Sequence, residues 1–430
     1  MKKEAYLVMS LDNEILAVQG HGLWGWENLR KAIQTVNQFF KLSPGDAVIL
    51  NDPSCGGLFP WAVTCVQKTD KYLIAHSVRI KTPWAFSQKI DAEGLRIPPT
   101  PLIQAGEIQS QIFESLIGHP LAGSDFGIAL KKLLSVEILN LKNWPLANSH
   151  STGRLKEILH DIPHAETAAE IKISSGEILK LKMETSEKGF VFNFSGTSFG
   201  KECFINETLV NGICREFILK FYDLEPDIGA HLDRLIHLTT PHTSFLQTKF
   251  PQGQLHGLAR GSGAVLQALQ KCFQQVYPRE NMVCHNFFPL WFQVKSKTNF
   301  DQWVLPNGSG ALEKEPGLAA FSVSQIEAIP SIAEIQNFFE IVEYSLTQPK
   351  IQSRISAGHG LHLDLVAKSD CEILWIFENS ASAMKGDSRR TAHEPCSVMI
   401  DGTIQDATGT MSLKSGQRLN LKTGSGASLN

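Results

Sequence analysis

Residues 4–9 and 14–19 are two mostly apolar stretches, with Leu11-Asp12-Asn13-Glu14 turning between them. Two short apolar runs broken by turn-forming residues predict a β-hairpin. Leu29, Ile33, Val36 and Phe40 then recur three to four residues apart, predicting an amphipathic helix from about 26 to 41. Ser43-Pro44-Gly45-Asp46 stops that helix and launches the wholly apolar run Ala47-Val48-Ile49-Leu50, a strand of the buried kind. The run ends abruptly in Asn51-Asp52-Pro53-Ser54-Cys55-Gly56-Gly57. Pro53 removes a backbone donor, so a central strand cannot pass through it. The paired glycines permit positive backbone angles or a close approach by a ligand. Asp52, an acid at a strand end, is therefore the first candidate site residue.

Leu73 to Val78 reads as a further strand, 108–117 and 127–142 as helices, and Pro145 as a break. The polar stretch 141–169, with Asn148-Ser149-His150-Ser151-Thr152-Gly153, places a domain boundary near 145–168. Beyond it, Ile178 to Glu184 alternates, Ser186-Glu187-Lys188-Gly189 turns, and Phe190 to Phe194 returns as a second hairpin. Val210, Cys214, Phe217 and Phe221 share one helical face, and Val265, Leu269, Cys272 and Val276 share another. From about 335 the pattern is strand-like, over 338–346, 360–367, 371–377, 397–404 and 411–422. The expectation is a multi-domain α+β protein. A mixed α/β domain spans 1–145, a central α+β domain 146–330 and a β-rich domain 331–430.

Composition narrows the function classes. A chain of 430 residues exceeds one ordinary core, and 43% hydrophobic residues is ample for burial. A net charge of −3 gives no field for nucleic acid or an anionic membrane. The eight cysteines (55, 65, 203, 214, 272, 284, 371, 396) include no CxxC pair, which argues against structural zinc and a disulfide framework. Met1-Lys2-Lys3-Glu4 leads into only a short apolar stretch, unlike a signal peptide, and no run is long enough to span a bilayer. A reduced, cytoplasmic protein is expected.

Several local patterns carry candidate chemistry. Gly20-His21-Gly22-Leu23-Trp24-Gly25 matches GxGxxG between a strand and a helix, with Asp52 at the end of the next strand, where a ribose-binding acid would sit. Trp24 is a bulky ring where a phosphate-binding turn needs small residues, and the preceding hairpin is not the start of a parallel sheet. A turn whose glycines relieve crowding is the better reading. Among the fourteen histidines there is no HExxH or HxxxH on a predicted helix. His359 and His362 form the nearest tight pair, and satisfied or exposed imidazoles account for them. His76 is placed at a strand end, as Asp52 is, so neighbouring strands would turn both toward one cleft. No GxSxG elbow or Walker A lysine loop is present, and the Gly-Ser-Gly triplets at 261–263, 308–310 and 424–426 read as turns.

Taken in order, several segments resemble the hydantoinase B / 5-oxoprolinase family, which includes the α subunits of acetone and acetophenone carboxylases. Residues 45–57 are similar to that family's strand ending in NDPxxGG, and Asp91-Ala92-Glu93-Gly94-Leu95-Arg96-Ile97-Pro98-Pro99 to its EGLRIPP segment. Phe194-Ser195-Gly196-Thr197-Ser198 with Ile205-Asn206 resembles its FxGTS…N unit. Leu224-Glu225-Pro226-Asp227-Ile228 resembles its DPDIP turn, and Lys422-Thr423-Gly424-Ser425-Gly426 its glycine-rich C-terminal segment. The resemblance implies a hydantoinase B-like fold and a subunit of an ATP-dependent amidohydrolase or carboxylase. A hydantoinase A-type partner of actin-like fold would use the ATP to phosphorylate the substrate. The B-type subunit would complete ring opening, hydrolysis or carboxylation of a hydantoin, 5-oxoproline, another lactam or a ketone.

Some relatives implied by the resemblance hold a divalent metal through a GGTHLPD stretch and an AHHxD stretch. Here Phe59 and Ala62 occupy the first histidine and aspartate slots, while His76 is kept but Ser77 and Arg79 replace the next histidine and the acid. Phenylalanine and alanine cannot ligate a cation, and a fixed guanidinium repels one. The expectation is a divergent, N-terminally shortened member without the family metal and with no bound cofactor. Its chemistry would rest on Asp52 as acid/base, His76 as its partner, Arg79 as an anion clamp, and Glu93. Asn51, Gly56, Gly57 and Asn206 would line the substrate. The alternatives are a non-catalytic scaffold or regulatory relative, which the apolar Phe59 and Ala62 favour, and, more distantly, a nucleotide-binding oxidoreductase built on Gly20 to Gly25.

Overall fold

The computed structural model describes residues 4–12, 14–20, 25–81, 83, 85, 87, 89–123, 126–134, 157–222, 224, 232, 234–277, 287–309, 329–347, 357–378 and 395–425. Two compact units are present. The first comprises Met1–Thr167, Lys182–Ser195 and Phe204–Leu255, and the second Ala168–Leu181, Gly196–Cys203 and His256–Asn430. Among the described residues no helix is long and apolar enough to cross a membrane.

The first unit is built on a seven-stranded sheet. Its strands are β1 (Glu4–Ser10), β2 (Ile15–Gly20), β3 (Ala47–Leu50), β4 (Ala62–Lys68), β5 (Tyr72–Arg79), β6 (Thr100–Gln104) and β7 (Glu107–Ile108). Their spatial order is β2-β1-β5-β4-β3-β6-β7. The expected N-terminal hairpin is β1–β2, paired antiparallel from Ala5–Gly20 to Met9–Ile15. Helix α1 (Gly25–Phe39) follows it and buries Leu29, Ile33 and Val36 on one face of the sheet, against Leu7, Met9, Val48, Leu50, Val66, Leu73 and Ala75. A short helix α2 (Ile90–Glu93) and helices α3 (Ser110–Ile117) and α4 (Phe126–Leu134) come next. The opposite face of the sheet buries Ala47, Ile49, Val63, Cys65 and Val78 against Phe126, Leu130 and Leu133 of α4. Every residue of β3 is buried because both faces are covered, which is why its sequence is continuously apolar rather than alternating. Residues 135–142 of the expected second helix, Pro145 and the polar stretch at 148–153 lie outside the described residues, as do His21 to Trp24 of the glycine-rich loop.

The chain continues through strand β8 (Ala165–Lys172) to the second expected hairpin, β9 (Ile178–Ser186) and β10 (Gly189–Asn193). In the first unit, Ser186 pairs with Gly189 and Lys182 with Asn193. Helix α5 (Glu207–Phe221) follows, its first turn capped by the Asn206 side chain, and strand β11 (Ile236–Thr239) runs parallel to β10.

In the second unit, a π-helical turn at Gly257–Gly261 feeds helix α6 (Ser262–Val276), which is buried on nearly every side. Two antiparallel sheets then share one core. The four-stranded sheet orders β13 (Phe300–Leu305), β12 (Leu290–Lys295), β16 (Cys371–Ile376) and β19 (Thr408–Leu413). After helix α7 (Ile332–Gln336) the five-stranded sheet orders β14 (Phe339–Leu346), β15 (Leu361–Ala367), β20 (Arg418–Lys422), β17 (Ser397–Ile400) and β18 (Thr403–Ile404). Phe292, Trp303, Ile373 and Trp375 of one sheet and Phe339, Leu363, Val398 and Leu421 of the other fill the interior. Two expected strands divide. Residues 397–404 form a tight hairpin because Asp401 and Gly402 take positive φ (47° and 80°). The stretch 411–422 turns at Gly416 (φ 85°), and its halves join different sheets. Asp401-Gly402 and Ser415-Gly416 are the turn signals that divide these stretches.

Trp303 anchors the second unit's core. Its ring lies 5.0 Å from that of Phe292 and its Nε1 donates to Asp301 Oδ2 at 3.0 Å. Trp303→Ala is expected to destabilise this unit by about 3–5 kcal/mol. Hydrogen exchange of β12, β13 and β15 would show the loss as earlier opening of those strands.

Candidate functional site

The Asn51–Gly57 turn is built by packing demands that can be read atom by atom. Asn51 is fully buried where β3 ends. Its Nδ2 donates to Leu95 O at 2.9 Å and its Oδ1 accepts from Ile97 N–H at 2.6 Å. The backbone N–H groups of Asn51 and Asp52 both donate to Ile97 O, at 2.9 and 3.1 Å. The two segments that carry the family resemblance are thus laid against each other. Asp52 caps a single 3₁₀ turn, Pro53–Cys55, accepting from Ser54 N–H at 2.8 Å and Ser54 Oγ at 2.6 Å. Gly56 takes φ +93°, and a Cβ there would fall 2.4 Å from Ala32 N of α1. A Cβ on Gly57 would fall 1.9 Å from the Asn51 carbonyl carbon. Both glycines, expected against substrate, are instead required by close approach of backbone.

Arg96 completes the turn's electrostatics. Its Nη1 donates to Asp52 Oδ2 at 3.0 Å, its Nε lies 3.0 Å from Asp91 Oδ1, and its guanidinium sits 4.4 Å above the Phe250 ring. The expected partner of Asp52 was His76; the observed partner is Arg96. Arg96 stood inside the quoted EGLRIPP segment, and its charge opposite an acid was the signal that could have found it.

Glu93, at the end of α2, is completely buried. The N–H groups of Gln254 and Leu255 donate to its two carboxylate oxygens at 2.6 and 3.0 Å. Only glycine fits at 253, where a Cβ would meet Ser87 O at 2.3 Å and Glu93 Oε1 at 2.6 Å. Burial pushes the Glu93 carboxyl up to about 7, against the opposing pull of the two N–H donors. Phe59, 1% exposed, closes this neighbourhood, its ring edge 3.5 Å from where a Gly94 Cβ would be. A buried carboxyl poised near neutrality has the chemistry of a general acid/base.

His76 and Asp52 do not share a cleft. His76 lies inside β5, not at its end, and β4 separates β5 from β3. That intervening strand sets their backbones roughly 10 Å apart across the sheet. His76 pairs in register with Cys65 and Tyr6 and points to the face that α4 covers, along with Ile74 and Val78. Its ring stacks on Tyr6 at 4.1 Å and its Nε2 lies 3.2 Å from Glu4 Oε2. Burial holds the imidazole down at about 4 despite Glu4, so it is neutral at physiological pH. Arg79 stands on the other face, beside Ala62 in register, with its guanidinium 4.3 Å over the Trp61 ring. The residues at the positions implied for a metal do not fit one. Phe59 and Ala62 offer no donor, His76 faces away from Ser77 and Arg79, and no group of three metal-ligating side chains occurs among the described residues.

Asn206, expected to touch substrate, caps α5 by accepting from Leu209 N–H at 2.8 Å. The second unit holds its own buried charges. Arg260, on the π-helical turn, lies 3.7 Å from Glu378, which also accepts from Ser174 N–H and Oγ. Burial would raise the Glu177 carboxyl, but hydrogen bonds from Cys203, Ser175, Glu202 and Lys201 outweigh it and hold it at about 2. Three of the Glu177 donors, the N–H groups of Lys201, Glu202 and Cys203, converge on its Oε1. Residues 225–228 and 426, from two of the resembling segments, lie outside the described residues.

The structure is similar along nearly its whole length to two solved structures. ATP-dependent caprolactamase from Pseudomonas jessenii superposes with a TM-score of 0.79 and 15% identity, covering 98% of this chain and 84% of that one. Acetone carboxylase, in a nucleotide-free structure of an enzyme of ATP-dependent acetone carboxylation, gives 0.77 and 10%, covering 99% and 71%. No family model and no curated protein matches the sequence. At these identities the likeness establishes the fold, and it is the hydantoinase B-like α+β fold expected from the ordered motifs.

Glu93 gives the site a pH signature. Its folded carboxyl holds a proton up to about 7, whereas the ordinary value is 4.5, so the folded state binds more protons between those limits. Stability should therefore fall by about 3 kcal/mol as pH rises from about 4.5 to about 7, and stay level above. Urea denaturation across that range should show the slope, and Glu93→Gln should remove it. The variant should also carry a pH-independent loss, because its amide N–H₂ faces a backbone N–H.

Proposed function

We propose that this chain is the B-type subunit of an ATP-dependent enzyme that opens or hydrolyses a cyclic amide, working with a hydantoinase A-type ATPase subunit. The observation that carries the reading is the shared fold over 98% of the chain with an ATP-dependent caprolactamase. The ordered sequence segments at 51–57 and 91–97, which meet around Asn51, add support. A carboxylation closer to that of acetone carboxylase is the related variant of the same reading.

Amide resonance makes a lactam carbonyl a poor electrophile. Phosphorylating its oxygen at the expense of ATP in the partner supplies a leaving group, and this subunit then manages the proton and the developing charge. In that scheme Glu93 is the acid/base, its carboxyl near neutrality so that both protonation states are accessible. Arg96 holds the anionic end of the activated substrate, and Asp52 is a positioning residue that fixes the guanidinium through Oδ2. Arg79 and His76 have no part in this step, since one stacks on Trp61 and the other is turned to the α4 face.

The complete burial of Glu93, and the packing tasks of Gly56, Gly57 and Asn206, favour a second reading, a non-catalytic scaffold for the partner. Co-expression with an A-type subunit separates the two. The first reading expects amide-dependent ATP hydrolysis with caprolactam, hydantoin or 5-oxoproline. Glu93→Gln should lower turnover by about 100-fold or more, and Asp52→Asn and Arg96→Met by about 10-fold, mainly in KM for Arg96. A stable complex whose turnover is indifferent to Glu93→Gln would leave the scaffold reading.

A further inference from the structure

In the second unit, one buried carboxylate is ionised by the fold but served on only one of its oxygens. Glu177 closes the tight turn between β8 and β9, where Ile173 N–H donates to Glu177 O at 2.9 Å, and it is 1% exposed. The consecutive N–H groups of Lys201, Glu202 and Cys203 reach its Oε1 at 2.9, 2.8 and 3.0 Å. Burial opposes ionisation, these bonds outweigh it, and the carboxyl is held at about 2. Its Oε2 is also buried, yet it has no hydrogen-bond partner among the described residues. Ser175, on the same turn, stands close enough to favour the anion, but its Oγ is off hydrogen-bond geometry and is likewise buried without a partner. An unserved oxygen of an ionised carboxylate is costlier in the interior than that of a neutral group.

The charged neighbours are engaged elsewhere. Arg260, 4% exposed on the π-helical turn, donates to Phe377 O at 3.3 Å and to Thr408 Oγ1. Its guanidinium lies 3.7 Å from Glu378 Oε2 and 4.0 Å from Glu202 Oε2. Glu378 in turn accepts from the Ser174 N–H and Oγ, one residue before Ser175. Lys201 carries its ammonium past Gly176, 3.6 Å from where a Cβ there would be, on the outer side of the same turn. The Cys203 Sγ lies 3.9 Å from His256 O, and neither residue adds charge. Burial and then Arg260 hold the imidazole down at about 4, and burial pushes the thiol up. Among these groups the carboxylates of Glu177, Glu202 and Glu378 outnumber the cations of Arg260 and Lys201.

We infer that Glu177 Oε2 and Ser175 Oγ mark a binding site for a small monovalent cation: potassium, sodium or ammonium. Both unserved atoms are oxygens with lone pairs, and the surrounding charge is net negative, which suits a cation and disfavours an anion. Zinc and calcium sites gather several carboxylate, imidazole or thiolate ligands. No group of three such side chains occurs among the described residues, so a single positive charge is the better match to one carboxylate oxygen. The adjoining π-helical turn is an element that recurs at functional sites. The site lies wholly in the second unit and does not rest on the reaction proposed above.

The test uses the full-length chain without ATP or partner, so its outcome is separate from that of the turnover assay. Thermal unfolding is followed while potassium, sodium or ammonium chloride replaces tetramethylammonium chloride at constant ionic strength, tetramethylammonium being too large for a buried oxygen. One of the three is expected to raise Tm saturably by about 2–4 °C. Glu177→Gln keeps an acceptor for the three N–H groups and removes the charge, and should abolish that rise. Ser175→Ala should move the midpoint of the titration to about 3-fold higher cation concentration or more, and keeps the test decisive if the first variant folds poorly. The same Tm in all four salts overturns the inference, since a buried water then suffices for Oε2. So does a rise that survives Glu177→Gln. Cation dependence seen only in Lys201→Met overturns it as well, because the lysine ammonium is then the partner of Oε2 in the wild type.

Discussion

Asn51 commits both ends of its amide to the backbone of a segment 44 to 46 residues away, donating to Leu95 O and accepting from Ile97 N–H. That segment has no ladder of its own, so its buried N–H and C=O groups depend on partners supplied from elsewhere. Each one left unmade in the interior would cost about 1–3 kcal/mol. The same clamp fixes where Arg96 emerges between two bonded neighbours, and so aims its guanidinium at Asp52. Two residues before that clamp, Glu93 is held separately by the N–H groups of Gln254 and Leu255. The Asp52–Arg96 pair is thus downstream of one side chain whose own role is structural.

Much of this arrangement was legible in sequence because it is local. The apolar run 47–50, its halt at Pro53, the helix whose face is Leu29, Ile33 and Val36, and the turn at Gly189 follow from periodicity and breakers. What could not be read was strand adjacency. His76 was expected to end its strand and to neighbour Asp52, but the strand runs three residues further and β4 inserts between. A one-residue difference in parity then puts His76 on the α4 face and Ser77 on the α1 face, a consequence of the twofold side-chain period that only the register exposes. The division of 411–422 is signalled at Ser415-Gly416, but that its halves join different sheets only the pairing shows.

Two buried carboxylates show why burial alone does not make a catalytic group. Glu177 collects N–H donors from three consecutive residues and stays ionised, its carboxyl held at about 2. Glu93 has two donors and is pushed the other way, to about 7. Both are removed from water, and the number of donors decides which form the interior favours. Glu177 is held ionised by three N–H groups on one oxygen, whereas Glu93 is pushed up toward neutrality. That contrast, rather than its presence in a family-like segment, is the reason to place acid/base chemistry at Glu93.

The motif around Asp52 carries a wider lesson about what a short resemblance transmits. Asn51 is needed for its two backbone bonds, Asp52 for its cap, Gly56 for its positive φ against α1, and Gly57 because the Asn51 carbonyl leaves no room for a side chain. Every one of these demands is met by folding alone, with no reference to substrate. A segment of this kind therefore reports architecture, whatever groups surround it. Function has to be sought in groups that folding alone does not call for, and the fully buried Glu93 carboxyl, pushed up to about 7, is the clearest of them.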